Sequence, residues 1–377
     1  MKFIELLNNK NIAAGLERQN ISEPTKVQIE MYKPMMDNQN IVARSETGSG
    51  KTLAYLIPLY EKIDPQSKDL YSIILVPTYE LSMQVTKQIE LLSFNSGISI
   101  RTVSLIGNGN ITRQIEQLKN KPQIVVGTAG RILELFHKKK LSAHTVKTLI
   151  IDEADKMMDK NNLQPLLDVK KCLYKSTQIV MCSASMNDKN YEKAKGIVSN
   201  PVIIKSKTKE QIPENIEHLY IITSRREKIE TLRSLCSAIK PNKCMIFINT
   251  RFDSEKAYEK LLYHHYKVYT LSKDQDKVQR KNALTQFKNG QSNYMISTDI
   301  ASRGLHIDNI DTVINVTLPA DSRDYLHRAG RCGRNNQKGI CISIITDNEL
   351  NKITELEKIF KIKFKSIKIS NGKIIYN

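Results

Sequence analysis

Short apolar runs rich in Val and Ile alternate along this chain with longer polar segments of helical period. In the first half the runs are Asn40–Arg44, Tyr71–Pro77, Ile100–Leu105, Gln123–Thr128, Thr148–Asp152, Gln178–Cys182 and Val202–Lys205. The second half repeats the scheme with Glu217–Ile222, Cys244–Asn249, Lys267–Leu271, Tyr294–Ser297, Thr312–Val316 and Gly339–Ile345. A run that is apolar on both faces suits a strand covered on both sides, and the intervening segments are long enough to be crossover helices. The pattern predicts an α/β chain with mostly parallel sheets and helices on both faces. Lys205–Pro213 is polar, Lys-rich and Pro-terminated, which marks a linker. We therefore expect one domain over 1–205, a linker over 206–213 and a second domain over 214–377. Near the end, Asn371-Gly372 between apolar runs predicts a hairpin turn.

Composition narrows the class. At 377 residues the chain is too long for one typical core. With 40% hydrophobic and 26% charged residues it reads as soluble and globular. No stretch approaches ~20 apolar residues and no basic start precedes an apolar run, so neither a membrane span nor a signal peptide is expected. The six cysteines form no CxxC and no Cys/His cluster. They read as free thiols in a reducing compartment, which makes a cytoplasmic location the expectation and a zinc site not one. Net charge is +19, and both halves are basic: 28 Lys and Arg against 20 Asp and Glu over 1–205, and 30 against 19 over 206–377. A polyanion contacted by both halves, most simply nucleic acid, fits that balance, although excess Lys also serves solubility. Lys138–Lys140 reads as a solvated helix end.

The chemistry concentrates at strand ends. Ser45-Glu46-Thr47-Gly48-Ser49-Gly50-Lys51-Thr52 follows the run Asn40–Arg44 and opens a helical pattern over Thr52–Tyr60. Strand, glycine-rich loop, Lys-Thr and helix in that order make a phosphate loop. Gly48 and Gly50 let the backbone curl until successive N–H groups converge on an anion. The helix N-terminus adds the positive end of its dipole. Lys51 can neutralise β and γ phosphates, and Thr52 can offer its hydroxyl to magnesium. Further on, Leu149-Ile150-Ile151 runs into Asp152-Glu153-Ala154-Asp155. Ligands of open α/β sheets bind outside the carboxyl ends of the strands. There Asp152 can hold Mg2+ and Glu153 can orient and deprotonate an attacking water. Alone, those residues also suit a carboxylate-rich helix start. Together the two elements predict a protein that binds and hydrolyses a nucleoside triphosphate.

Further motifs stand around this pair in a fixed order: Pro24-Thr25-Lys26-Val27-Gln28, Pro77-Thr78-Tyr79-Glu80-Leu81, Thr128-Ala129-Gly130-Arg131 and Ser183-Ala184-Ser185. The second half adds Phe247-Ile248-Asn249-Thr250, Ser297-Thr298-Asp299 through Arg303-Gly304-Leu305, and His327-Arg328-Ala329-Gly330-Arg331-Cys332-Gly333-Arg334. With these motifs the chain resembles the DEAD-box RNA helicases of superfamily 2 over nearly its whole length. The resemblance implies two tandem RecA-like domains, ATP and Mg2+ as cofactors, and RNA held mainly through its sugar–phosphate backbone by a monomer. It assigns nucleotide contacts to Gln28, Ser45, Thr47, Gly48, Ser49, Gly50, Lys51, Thr52, Asp299 and Gly304. Gln28 would recognise adenine, since an amide donates and accepts at once. Arg331 and Arg334 would be arginine fingers that join Lys51 and Glu153 in catalysis. Thr78, Gly130, Arg131, Thr250 and Thr298 would contact RNA, while Ser183, Ser185 and His327 would couple hydrolysis to domain movement.

Some positions depart from the family pattern. Ile21 replaces an aromatic expected to stack on adenine, Tyr79 replaces an Arg, and Asn108 replaces the second Gly of a pair. Ala129 stands for Pro, Ser185 for Thr, Lys277 for Gln and His306 for Asp. None of them touches Lys51, Asp152, Glu153, Arg331 or Arg334. The expected function is an ATP-dependent RNA helicase that separates or remodels duplexes locally. An ATP-gated RNA clamp with little unwinding, and a DNA-translocating helicase of the same superfamily, are the competing readings.

Overall fold

The computed structural model describes residues 1–45, 49–107, 109–184, 188–205, 212–213, 215–271, 275, 277–299, 307, 309–333 and 337–376. The chain divides into two units, Met1–Thr208 and Lys209–Asn377. Apart from Ile212 and Pro213, the expected linker lies outside the described residues.

The first unit is built on β1 (Ile41–Arg44), β2 (Ser72–Leu75), β3 (Thr102–Leu105), β4 (Ile124–Gly127), β5 (Thr148–Ile151), β6 (Gln178–Ser183) and β7 (Val202–Lys205). They form one sheet in the order β3-β4-β2-β5-β6-β1-β7, and every pairing is parallel. Alternate residues feed opposite cores. Ile74, Ile150 and Val180 pack on one face with Leu53, Leu56 and Val85, while Ile73, Leu149, Ile151 and Met181 pack on the other with Ile132 and Val169. Two covered faces are why these runs show no polar alternation.

The second unit contains β8 (Ile216–Ile222), β9 (Cys244–Phe247), β10 (Val268–Leu271), β11 (Tyr294–Ser297), β12 (Thr312–Asn315), β13 (Gly339–Ile345), β14 (Phe364–Ser370) and β15 (Lys373–Tyr376). Their order is β10-β11-β9-β12-β13-β8-β14-β15, parallel except for the β14/β15 hairpin. Asn371 and Gly372 turn that hairpin with φ of 50° and 71°, the two positive values a two-residue hairpin loop demands. Here too the sheet is covered on both faces, by Met245, Phe247 and Tyr325 on one side and Ile246, Ile314 and Leu232 on the other.

Several apolar runs end in a polar residue that the ladder excludes. Asp152, Thr128 and Asn249, which the pattern predicts as strand ends, lie just beyond the ends of β5, β4 and β9. At the carboxyl edge of a parallel sheet such side chains find partners outside the ladder, and that edge carries the site.

Candidate functional site

In the first unit, β6 lies between β5 and β1, so the ends of all three strands meet. The Ser45 N–H donates to the Ser183 carbonyl (3.0 Å), which ties the start of the phosphate loop to the end of β6. Ser45 and Ser49 bond hydroxyl to hydroxyl at 2.7 Å, and Lys51 Nζ donates back to the Ser45 carbonyl. Gly50 caps the helix Lys51–Lys62 with φ +85°, a left-handed conformation that glycine tolerates. Gln28 reaches this loop. Its Oε1 accepts from the Thr25 N–H (2.8 Å) and its Nε2 donates to the Gly50 carbonyl (3.1 Å). A Cβ at residue 50 would lie 2.4 Å from that nitrogen, so glycine is also required there by contact.

Asp152 follows β5 and is buried. Its Oδ1 accepts from the Glu153 N–H (2.9 Å), and its Oδ2 accepts from the Tyr55 hydroxyl (2.9 Å) one turn into the phosphate-loop helix. Burial, and after it the charge on Glu153, raises the Asp152 pKa, while Lys51 and Tyr55 oppose that shift. Burial lowers the Lys51 pKa, and Asp152 is the largest influence raising it. Each group therefore offsets part of the shift that burial imposes on the other. Glu153 takes φ +47° as the cap of the helix Ala154–Met157, and its carboxylate pairs with Lys156. The Ser183 hydroxyl donates to Asp155 Oδ1 at 2.6 Å, linking the two motifs. One buried carboxylate and one hydroxyl, Asp152 and Thr52, fit magnesium, which takes few protein oxygens and completes its shell from substrate phosphates and water.

The expected RNA contacts of this unit differ in character. Thr78 caps the helix Tyr79–Ser96 by accepting from the Leu81 N–H (3.3 Å). Gly130 is exposed in the first turn of the helix Ala129–His137, and a Cβ there would meet nothing within 4 Å. Arg131 is only 7% exposed. Its guanidinium donates to the carbonyls of Gly107 and Gly109 and to Gln114 Oε1, and its Nε pairs with Glu134 at 3.0 Å. The guanidinium thus holds the Gly107 and Gly109 carbonyls.

In the second unit, Thr250 caps the helix Arg251–Tyr263 through the Asp253 N–H (3.3 Å). Thr298 and Asp299 follow β11. Arg328, on the helix Ser322–Ala329, is 1% exposed. Its Nε and Nη2 bond the two oxygens of Asp299 at 2.5 and 2.6 Å. Its Nη1 bonds Asn315 Oδ1 (2.9 Å) and the Thr317 carbonyl (2.6 Å), and its Cζ lies 4.8 Å from the Phe247 ring centroid. Asn249 Nδ2 adds a bond to Asp299 at 3.0 Å. His327 lies on the same helix, and Arg331 follows it on a turn whose N–H bonds the Arg328 carbonyl (3.0 Å). Thr47, Gly48, Ser185, Gly304 and Arg334 lie outside the described residues, as do Asn108 and His306.

Family models match both units: DEAD/DEAH box helicase over residues 25–194, and helicase conserved C-terminal domain over 227–336. The chain is 34% identical to the DEAD-box ATP-dependent RNA helicase CshC of Bacillus cereus, across 95% of this chain and 91% of that protein. It is 32% identical to the probable ATP-dependent RNA helicase YfmL of Bacillus subtilis, across 93% of each. The chain belongs to the DEAD-box ATP-dependent RNA helicases. Its fold is similar to that of S. cerevisiae Dbp5 bound to RNA and ADP BeF3, with a TM-score of 0.85 at 28% identity over 97% of this chain and 95% of that one.

For this helicase, sequence reasoning missed three residues. Tyr55 is an apolar position of a helix until its hydroxyl is seen on Asp152. Lys156 is one lysine among many until it is seen on Glu153. Arg328 shares a basic helix pattern with Arg331, and only its burial separates the two. Among the described residues no helix is long and apolar enough to cross a membrane.

Proposed function

We propose that this DEAD-box protein binds ATP with magnesium, holds RNA through its sugar–phosphate backbone with both units, and uses hydrolysis to separate or remodel short duplexes. The observation that carries the reading is the division of labour. Lys51, Asp152, Glu153 and Ser183 are assembled in one unit, and Asp299, His327 and Arg331 belong to the other. Hydrolysis then needs both units acting on one nucleotide, and RNA gripped by Thr78 and Gly130 on one side and Thr250 and Thr298 on the other would be strained by that union. Arg131 would serve the same path through the loop it holds.

In the chemical step Glu153 accepts a proton from water as the water oxygen attacks the γ-phosphorus. The bond from that phosphorus to the β–γ bridging oxygen breaks, leaving ADP and phosphate. Lys51 and Arg331 offset charge on the transferred group. Magnesium, held by Asp152 and Thr52, would neutralise phosphate oxygens. Gln28 would bond adenine with the amide capacity that Thr25 and Gly50 leave open. The free thiols suit a cytoplasmic protein, and we take it to act as a monomer.

Glu153→Gln tests the reading. The variant should hydrolyse ATP at least ~100-fold more slowly and should retain RNA as long as ATP is present. RNA release at the wild-type rate would reject the coupling. Tyr79, 39% exposed beside Thr78 where the family places a cation, favours the clamp as second reading. Displacement of a short duplex no faster than without ATP would select it.

A further inference from the structure

We propose that the C-terminal hairpin β14/β15, with the segment leading into it, is a second RNA-binding surface that grips the backbone flanking the segment held at the strand ends. The inference rests on the RNA-helicase reading above and extends it to residues outside the motifs.

Residues 361–376 contain five lysines and no carboxylate. Lys361, Lys363, Lys365, Lys368 and Lys373 are all exposed. Lys365 is paired with Glu217 at 2.7 Å. The other four have no ion-pair partner among the described residues. Across the cleft that Lys368 lines, Glu227 accepts from Ser224 and Glu230 is paired with Arg233 and Lys260, so those carboxylates are already engaged.

Register sorts the hairpin into two faces. Lys368 stands opposite Ile375 and Ser370 opposite Lys373, and opposed residues of an antiparallel pair share a face. Ser366 belongs to that face by alternation. Ile367, Ile369 and Ile374 occupy the other face and pack on the core. Around Ile375 the outer face therefore presents the ammonium groups of Lys368 and Lys373 and the Ser370 hydroxyl, the donors that phosphates take without regard to base.

Topology places the hairpin tip at the working edge of the sheet. β14 runs parallel to β8 with Ser366 level with Tyr220. β8 ends at Ile222 and β14 at Ser370, so the hairpin reaches two residues further, about 7 Å at ~3.3 Å per residue. It extends past the carboxyl edge, where Thr250 and Thr298 follow β9 and β11. Strand order puts β14 four positions from β9, about 19 Å at ~4.8 Å per strand. RNA leaving the expected contacts meets Lys368 and Lys373 near the tip within a few nucleotides, and reaches Lys363 and Lys361, which precede β14, by following the hairpin back along its length.

Lysines on sheet edges also block unwanted strand pairing. That role predicts them on the outermost strand. Here β15 carries only Lys373, beside exposed Ile375 and Tyr376, while the others sit on β14 and its approach.

The test uses the full chain with Lys361, Lys363, Lys368 and Lys373 all changed to Gln, and a second variant with all four changed to Arg. RNA affinity is measured by anisotropy without nucleotide, over a range of salt, with a short single strand and with the same strand carrying a duplex flank. For the flanked RNA the Gln variant should bind about tenfold more weakly or worse. Its salt slope should be shallower by about 0.7–0.9 for every phosphate that a lysine no longer neutralises. The short strand should bind as before. ATPase kcat at saturating RNA should not change, and the Arg variant should behave as wild type. Unchanged affinity and slope for the flanked RNA, an equal loss on both RNAs, or failure of the Arg variant to restore binding would each overturn the proposal. Wild-type protein that binds neither RNA, even when a non-hydrolysable ATP analogue is added, would reject the helicase reading itself, and this surface with it.

Discussion

Tyr55 carries a consequence that its position in a helix does not suggest. Its hydroxyl is one of two donors on a buried carboxylate, and the other is a backbone N–H. In Tyr55→Phe the ring still packs, but Asp152 loses its side-chain hydrogen bond. The first unit should lose about 1–3 kcal/mol of stability, read from its urea midpoint. The ATPase should also need more magnesium for half-maximal rate, because Asp152 is no longer held in one orientation. An unchanged magnesium requirement would reduce Tyr55 to a packing residue. Sequence made Lys51, Asp152 and Glu153 legible because each sits inside a short local pattern. Tyr55 and Asp152 are 97 residues apart, and no local pattern encodes such a pair.

Among the elements, the first turn of the helix Ala129–His137 shows how stability and function can separate. The space at Gly130 is open, so Gly130→Ala should stabilise the fold by about 0.4–1 kcal/mol by restricting the unfolded chain. If an RNA backbone packs on that turn, the same methyl group should weaken RNA binding. Calorimetric stability and RNA affinity should then move in opposite directions, and affinity at the wild-type level would remove Gly130 from the RNA path. A second junction joins β8, β14 and the helix that carries Arg328. His218 Nδ1 bonds the Tyr325 hydroxyl at 2.7 Å, and the His218 ring lies 5.5 Å from that of Phe364. Burial lowers the His218 pKa to about 4. The unfolded chain therefore binds the proton more readily, and stability present above pH ~6.5 is lost as pH falls toward 4. The loss attributable to this side chain should approach about 3 kcal/mol. Urea midpoints of wild type and His218→Phe across that range check it, since the variant should lack this part of the slope.

For the whole molecule, each unit owns a sheet with a core on both faces. A chain ending at residue 208 should therefore fold, seen by cooperative loss of circular dichroism, and should bind ATP through Lys51 and Asp152. Its hydrolysis should stay about 1,000-fold or more below that of the RNA-saturated full chain, because Arg331 is missing. Turnover near the full-chain rate would mean that one unit suffices.

By itself, the sequence determined the fold class, the strands, the hairpin turn and the order of the motifs. Those features follow from period, glycine placement and residue type within a few positions. The tertiary structure decided what each side chain is bound to. Arg131 and Arg328 are two motif cations among others on paper, yet both are buried on partners that tertiary structure brings to them, at 7% and 1% exposure. Burial changes the meaning of a charge, because a buried guanidinium must spend its donors inside the protein. The lysines of the hairpin stay in water instead, which leaves their ammonium groups open to the RNA contact proposed above.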